Sequence, residues 1–536
     1  MRRQTWLVTL LFVALTAVMT WPQVLHLATR AREHQDVYFN MWRLQWMAHA
    51  LANAPARFFD GNIFHPEPRT LTFSDAMLVE GVLAAPLAWI GLPPMLIHNL
   101  LLLGAMVSSG AGMFVLARSL TTSPAAGIAA GIIFAFVPYR FDHYMHMELQ
   151  WTTWMPWAFW AMHRTVETRA MRFGVLTGVF FSLQFLSCIY YGVFLSIIGT
   201  LAGMLLLADS RATILSGLRA FAPGALLAVI VCGAYALPYL ATSRHVGMRS
   251  DAEILTFSAR PSNYLVATPD NAIWGSGFSG RSRPERRLFP GALAFLLGIV
   301  GLLQTRRSLV PLIYLIVAAA AFELSLGFSG YSYPFLSEQI PIFRGLRALS
   351  RAGIFVAFAL AVLAAFGLRA LVGARSQPAQ VLISVAICTA LLVEYRVRPL
   401  RLTPFPNDAP AIQAWLATQL TGVVAELPMG DPAALPGPEA RYAYLSTFHW
   451  KPIVNGYSGY FPRSFLERAS AMRGFPDERS LDRLRHDGVR YLVVHLEQYS
   501  REDQVRIDEA LTERAGFPVL ARFAQGEETT VVWAVR

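Results

Sequence analysis

Eleven apolar runs of roughly bilayer-crossing length punctuate the first 400 residues, and they constrain this chain more than any other feature. They fall near 6–25, 95–117, 122–138, 150–163, 173–188, 190–208, 220–240, 289–304, 309–326, 350–372 and 379–395. A hydrocarbon core of about 30 Å takes about 20 apolar residues as a helix, the one open-ended form that satisfies its own backbone polar groups there. Composition agrees: 55% of residues are hydrophobic and only 15% charged, against about 25% charged in a soluble domain. A large soluble enzyme and a disordered chain are both excluded. The predicted class is mainly α, a polytopic helical membrane protein with a small α/β domain at its C-terminal end.

Charge placement orients the spans. The chain carries 45 Lys plus Arg against 34 acids, a net +11. In water such an excess suggests a nucleic acid partner. Here the short turns bearing Arg118, Arg164, Arg169, Arg172, Arg211, Arg219, Arg306, Arg307, Arg369 and Arg375, with Arg2 and Arg3, hold twelve basic residues against Glu167 and Asp209. All of these fall on the cytoplasmic side if the stretch 77–91, with Glu80 and Pro86, lies along the outer interface instead of spanning. The expected topology is eleven spans, N-terminus inside and C-terminus outside, with no nucleic acid partner. The first run then reads as a retained anchor and not a cleaved signal.

The expected domains are a membrane part over 1–399 and an extracytoplasmic α/β domain over 400–536. The membrane part carries a first outer loop with interfacial helices (26–94) and another outer loop (241–288). The tail holds fifteen basic and seventeen acidic residues and no spanning run. Its β-like runs Val423–Leu427 and Val489–His495 alternate with helical stretches such as Ser480–Asp487. Cys188, Cys232 and Cys388 each sit in an apolar run and form no disulfide or metal pattern.

Three outward segments can carry chemistry. In the first loop, Asp36 lies just past the first span, where a carboxylate can act as a base toward a hydroxyl; it can equally cap a helix over 38–53. Trp42 and Trp46 read as interfacial anchors or as platforms for a sugar ring. In the second outer turn, Asp142, His143, His146 and Glu148 crowd into seven residues. As a helix that turn would put Asp142 and His146 on one face, able to orient a phosphate or hold a divalent cation, Mg or Mn, through Asp142, His143 and His146. The alternative is a wet turn facing lipid headgroups. Third, Arg344, Arg347 and Arg351 precede a span on the outer side, against the charge bias, and guanidinium groups suit phosphate. Glu323 is a weaker candidate near the end of its span. The loop 251–287, with Trp274, and the ring-rich strip 444–460 suit either carbohydrate contact or packing.

With these segments in view, the chain resembles the GT-C class of integral-membrane glycosyltransferases, and within it a bacterial branch. The resemblance rests on the order of spans, loops and outward tail. The strings that carry it are Asp36-Val-Tyr-Phe-Asn-Met-Trp, Phe134-Ala-Phe-Val-Pro-Tyr-Arg-Phe-Asp-His-Tyr-Met-His, Arg344-Gly-Leu-Arg-Ala-Leu-Ser-Arg and His449-Trp-Lys-Pro-Ile-Val-Asn-Gly-Tyr-Ser-Gly. It implies that Asp36 stands where the class has its catalytic first-loop aspartate. The class's metal-holding acidic pair is replaced here by Asp142 followed directly by His143.

The resemblance further implies transfer of a sugar from a polyprenyl-phosphate-linked donor to a glycan, lipid or protein acceptor, at the outer face of the cytoplasmic membrane. Arg347 and Arg351, with Arg344, would hold the phosphate among membrane lipids, and Asp142, His143, His146 or Glu148 would orient donor or acceptor. No P-loop or nucleotide-sugar pattern competes with a lipid donor. The rival expectations are a flippase of lipid-linked saccharide and a non-catalytic envelope scaffold.

Overall fold

The computed structural model describes residues 2–210, 214–278, 282–306, 308–431, 437–525 and 528–535. Arg211 and Arg307 lie outside the described residues, as do the side chains of Arg2, Arg3 and Arg306. The chain forms two compact units: residues 1–27, 99–240 and 247–401 make one, and residues 28–98, 241–246 and 402–536 make the other.

The first unit is helical, and every one of the eleven apolar runs contains a helix. Six helices are long and apolar enough to cross a membrane by length and composition: Pro94–Thr121, Pro124–Asp142, Ile189–Asp209, Ile214–Arg244, Leu349–Val372 and Gln377–Tyr395. Trp6–Met19, Met171–Ser187, Ala292–Leu302 and Val310–Ser325 are shorter apolar helices of the same unit. The helix Gly353–Val372 is the hub, nearly all buried, and packs on Ala292–Leu302, Val310–Ser325 and Pro124–Phe136. Peripheral helices instead present large apolar side chains outward, as Val229 at 70% exposure and Leu382 at 71% do. Water does not tolerate such a surface, whereas acyl chains do. The chain is a membrane protein.

Because lipid supplies no hydrophobic drive between helices, close approach of small residues holds the unit together. A Cβ on Gly301 would stand 2.0 Å from the Leu363 carbonyl oxygen, and one on Gly367 2.0 Å from that of Leu297. Gly174 and Gly224 meet in the same way between the helices Met171–Ser187 and Ile214–Val246, where an added Cβ would sit 1.9 and 1.8 Å from the Ala220 and Gly174 carbonyl oxygens.

In the second unit, β1 (Arg30–Arg32) pairs antiparallel with β2 (Leu402–Pro404). A four-stranded sheet follows from β3 (Val423–Leu427), β4 (Val489–His495), β5 (Val519–Gln525) and β6 (Glu528–Ala534), in the order β3-β4-β6-β5. β3 and β4 are parallel and the other neighbours antiparallel. Two of these strands coincide with the predicted runs, and the predicted helix at 480–487 is Glu478–His486, N-capped by Asp477. Leu484, Leu492, Val494, Ile507, Val531 and Trp533 form the core. The helix Gln35–Asn53 packs on Leu78–Trp89 and on Glu439–Leu445. Leu78–Trp89 has twelve residues, about 18 Å at 1.5 Å per residue and too short to span.

The Gly367 contact gives a first test. Gly367→Val is expected to destabilise the detergent-solubilised protein by about 1–3 kcal/mol through overpacking. A thermal midpoint equal to wild type would show that these helices do not meet at Gly367.

Candidate active site

Asp36 belongs to the second unit, in the first turn of Gln35–Asn53, and is 9% exposed. It is not the N-cap. That position is His34, whose Nδ1 accepts the Asp36 N–H at 3.1 Å. An accepting Nδ1 carries no proton, so the approach of Asp36 Oδ2 to it at 3.4 Å is not an ion pair in that tautomer. The Asp36 carboxylate is thereby released from capping, and its Oδ1 accepts from the Tyr457 hydroxyl at 2.9 Å. The positive end of the helix dipole favours a carboxylate at this position.

Tyr457 is held by packing and by the backbone around it. Its ring sits edge-on to Phe39 at 5.4 Å, and Arg43 lies over the other ring at 4.4 Å. Upstream, Ile453 N–H donates to the Asn62 carbonyl at 2.8 Å, His65 N–H to Ile453 at 2.9 Å and Phe64 N–H to Asn455 at 2.8 Å. A Cβ on Gly456 would enter the Phe64 ring at 2.7 Å. The ring-rich strip 444–460 is therefore packing material against the first loop. Trp42 is fully buried with its indole N–H on Asn62, and the Trp46 indole donates to the Phe58 carbonyl. Buried Trp42 is thus neither a membrane anchor nor an open sugar platform, while Trp46 is half-buried.

Behind Tyr457 lies a buried acid cluster that the sequence did not flag. Glu439 accepts the Gly430 N–H at 2.9 Å and the Gly456 N–H at 3.0 Å. Asn455 donates to the Glu439 carboxylate at 3.4 Å and to the Glu426 carbonyl, and accepts the Glu426 N–H. The Glu426 carboxylate meets His495 Nε2 at 2.8 Å, while His495 Nδ1 faces Thr530 and Glu497. Burial lifts Glu439 to about 7 despite its hydrogen bonds. Burial alone would lower His495, but hydrogen bonds and charge from Glu426 and Glu497 overcome it and raise the imidazole to about 9.

In the first unit, the second outer turn is not one helix. Pro138–Asp142 ends at His143, and His146 starts the separate turn Met147–Gln150. Asp142 and His146 thus do not share a helical face, and the reason is the break in the helix after Asp142. Asp142 Oδ1 is bound by Arg287 at 2.8 Å, and the Nδ1 atoms of His143 and His146 lie 3.4 Å apart. Glu148 is buried and contributes negative field at Arg351. Among the described residues no three His, Cys, Asp or Glu side chains group as a metal site. Asp142, His143 and His146 thus do not form such a three-residue group.

Arg344, Arg347 and Arg351 dock on the loop that precedes them in space. Arg344 faces Asp251 at 3.6 Å and Arg347 faces Glu253 at 3.7 Å. Arg347 also lies over the Phe257 ring at 5.1 Å, which Arg283 approaches at 5.4 Å. The Arg347 N–H donates to the Tyr190 hydroxyl at 3.0 Å, and Arg351 lies over the Tyr190 ring at 4.6 Å. Pro284–Arg286 packs between Pro138–Asp142 and Leu349–Ala352, bringing Asp142 and Arg351 into one neighbourhood. The arginines of 249–287 were missed by sequence reasoning, although a charge count confined to that loop would have found them. Crowding acts on Arg286, whose pKa is lowered by burial and then by Arg260 and Arg283. Other candidates resolve into structural roles. Glu323 accepts from the Tyr331 and Ser332 N–H groups at the start of Ser332–Gln339. The Trp274 indole donates to Glu394, which also receives the first N–H groups of Ala292–Leu302.

Solved structures of other proteins share this fold. Archaeal oligosaccharyltransferase AglB from Archaeoglobus fulgidus, in complex with an inhibitory peptide and a dolichol-phosphate, matches at 12% identity over 100% of this chain and 74% of its own, with a TM-score of 0.51. The arabinofuranosyltransferase AftD from Mycobacteria matches at 14% identity over 100% of this chain and 41% of its own, with a TM-score of 0.55. An Archaeoglobus fulgidus oligosaccharyltransferase tethered to an acceptor peptide containing the NVT sequon matches at 13% identity over 99% and 74%, with a TM-score of 0.51. No family model and no curated protein matches the chain in sequence. The shared property is the fold, that of the GT-C membrane glycosyltransferases.

The His495 cluster supplies a second test. A pKa raised from 6.5 to about 9 contributes stability that is full below pH 6.5 and lost as pH rises through about 9. The thermal midpoint of the intact protein is expected to fall between about pH 7 and 9.5, and His495→Asn to abolish that slope. A slope that survives the substitution would exclude His495 as its source.

Proposed function

We propose that this protein transfers a sugar from a polyprenyl-phosphate-linked donor to an acceptor hydroxyl or amide, at the outer face of the cytoplasmic membrane. The observation that carries the reading is Asp36 on the GT-C fold: a carboxylate early in the first loop, freed from capping and oriented by Tyr457. The dolichol-phosphate of one structural neighbour and the acceptor peptide of another support a lipid-linked donor and a separate acceptor.

In the proposed reaction the acceptor atom attacks the anomeric carbon while Asp36 takes its proton. The bond from that carbon to the phosphate oxygen breaks, and its electron pair leaves with the lipid phosphate. The product has inverted configuration. Arg347 and Arg351 hold the phosphate and offset its growing charge, which is where preorganised donors lower a barrier most. Arg344 adds charge at longer range. Asp142, His143, His146 or Glu148 orient the acceptor or the phosphate, with the Asp142 carboxylate itself held by Arg287. No step runs through a metal.

Asp36→Asn is expected to lower kcat by about 10²–10⁴ with donor binding retained, the usual scale for loss of a general base. Arg347→Ala should weaken donor binding and lower kcat as well, because the same guanidinium meets the charge that grows on the leaving phosphate. Wild-type turnover by purified Asp36→Asn protein would refute the base assignment, whereas a wild-type protein that transfers no sugar but moves the lipid-linked saccharide across a vesicle membrane would be a flippase. The eleven-span topology, with the tail outside, belongs to the same proposal. A cysteine introduced at Val505, 58% exposed, should react with an impermeant maleimide on intact spheroplasts. Labelling only after lysis would reverse the orientation.

A further inference from the structure

The acid cluster behind Tyr457 is not used by the reaction as drawn, yet it is joined to Asp36 by an unbroken set of short contacts. Gly456 N–H donates to Glu439 at 3.0 Å, the next residue is Tyr457, and its hydroxyl donates to Asp36 at 2.9 Å. Asn455, one residue earlier, donates to the same Glu439 carboxylate and exchanges hydrogen bonds with the Glu426 backbone on β3. The three residues Asn455–Tyr457 thus hang between a buried carboxylate and the candidate base. Phe64 closes the far side of Gly456, so the backbone cannot move that way.

We propose that Glu439 is a positioning residue for the transfer reaction: its ionised carboxylate holds the Asn455–Tyr457 segment, and through the Tyr457 hydroxyl it orients Asp36. This rests on Asp36 being the base. The chemistry of a carboxylate supplies the switch. Ionised, both oxygens accept, one from Gly430 and one from Gly456. Protonated, one oxygen becomes a donor facing an N–H group, and one of those two bonds is lost. A buried N–H left without a partner is costly, so the segment must shift.

The titratable and charged groups around Glu439 are few. Glu426 faces it from β3 with His495 behind, Glu497 flanks His495, and Tyr442 lies on the Glu439 helix beside Arg441. The helix Gln35–Asn53, packed on that element, contributes Asp36 and Tyr38. Burial raises Glu439 most, the hydrogen bonds from Gly430, Gly456 and Asn455 pull it back, and Glu426 adds a smaller upward push, which leaves it at about 7. The sign is fixed: the positioned form is the ion, and turnover falls as pH falls through about 7.

The test is the pH profile of kcat in the full-length protein with a polyprenyl-phosphate sugar and a fluorescent acceptor. Glu439→Gln is expected to lose the limb near pH 7 and to lower kcat at pH 8 by about tenfold, with KM for the donor within about twofold. Tyr457→Phe breaks the relay without touching the acid cluster, and should remove the same limb even if the Glu439 variant folds poorly. A wild-type limb retained in Tyr457→Phe overturns the proposal. The outcomes separate the two readings: full activity in Asp36→Asn defeats the base assignment, whereas an inactive Asp36→Asn with an unaltered limb in Tyr457→Phe defeats only the role of Glu439.

Discussion

The segment Pro452–Tyr457 is the strut on which the second unit depends. On one side Val424 N–H donates to the Pro452 carbonyl at 2.9 Å and Val454 N–H to Val424 at 3.0 Å, so the segment extends the sheet beyond β3. On the other side it exchanges backbone hydrogen bonds with Asn62, Phe64 and His65 of the first loop. Arg468, fully buried, ties both together by donating to the Val454 and His65 carbonyls while paired with Asp487. Backbone groups buried this deeply must be paired somewhere. Here the first loop and the tail complete each other's pairing, so neither can be drawn as a finished domain alone.

The first unit is governed by charge in the same way that the second is governed by hydrogen bonds. Arginines of the loop 249–287 and of the segment 344–351 lie close together and have to be compensated locally. Part of that compensation comes from Asp142, Asp251 and Glu253, and part from the faces of Phe257 and Tyr190. Aromatic faces stabilise a guanidinium without neutralising it. Arg347 and Arg351 each lie over an aromatic face, an arrangement that leaves the guanidinium N–H groups at its edge available to an anion.

What was legible in the sequence was whatever is written locally. The apolar helices, two of the sheet strands and the helix near 480 follow from local sequence pattern, and the structure has a helix or strand at each; among the described residues six of the apolar helices are long enough to cross a membrane. The fold class followed from the order of those runs. The roles of single side chains were legible only when their partners were near in sequence. Asp36 was identified, but its partner Tyr457 is 421 residues away and could not be. The same distance hid the purpose of the ring-rich strip, whose aromatic density reads alike as binding surface or packing. A helical face shared by Asp142 and His146 required a continuity that the chain lacks: the helix ends at Asp142, whose carboxylate Arg287 binds.

Burying Glu426 and Glu439 side by side is an expensive way to build a domain. Apolar replacements for buried ionic groups are frequently neutral or stabilising, so stability alone does not account for them. Their hydrogen bonds run to the backbone of Gly430, Asn455 and Gly456, and so they act on chain position more than on one another. A hydrophobic side chain could fill the volume but could not define where an N–H group points. That distinction matters at one place in this unit. Tyr457 reaches Asp36 only if the backbone before it is held to within a fraction of an ångström, because a hydrogen bond weakens steeply once stretched or bent. The buried acids supply that precision at the expense of stability, which is the exchange expected near a reacting group and not in an inert scaffold.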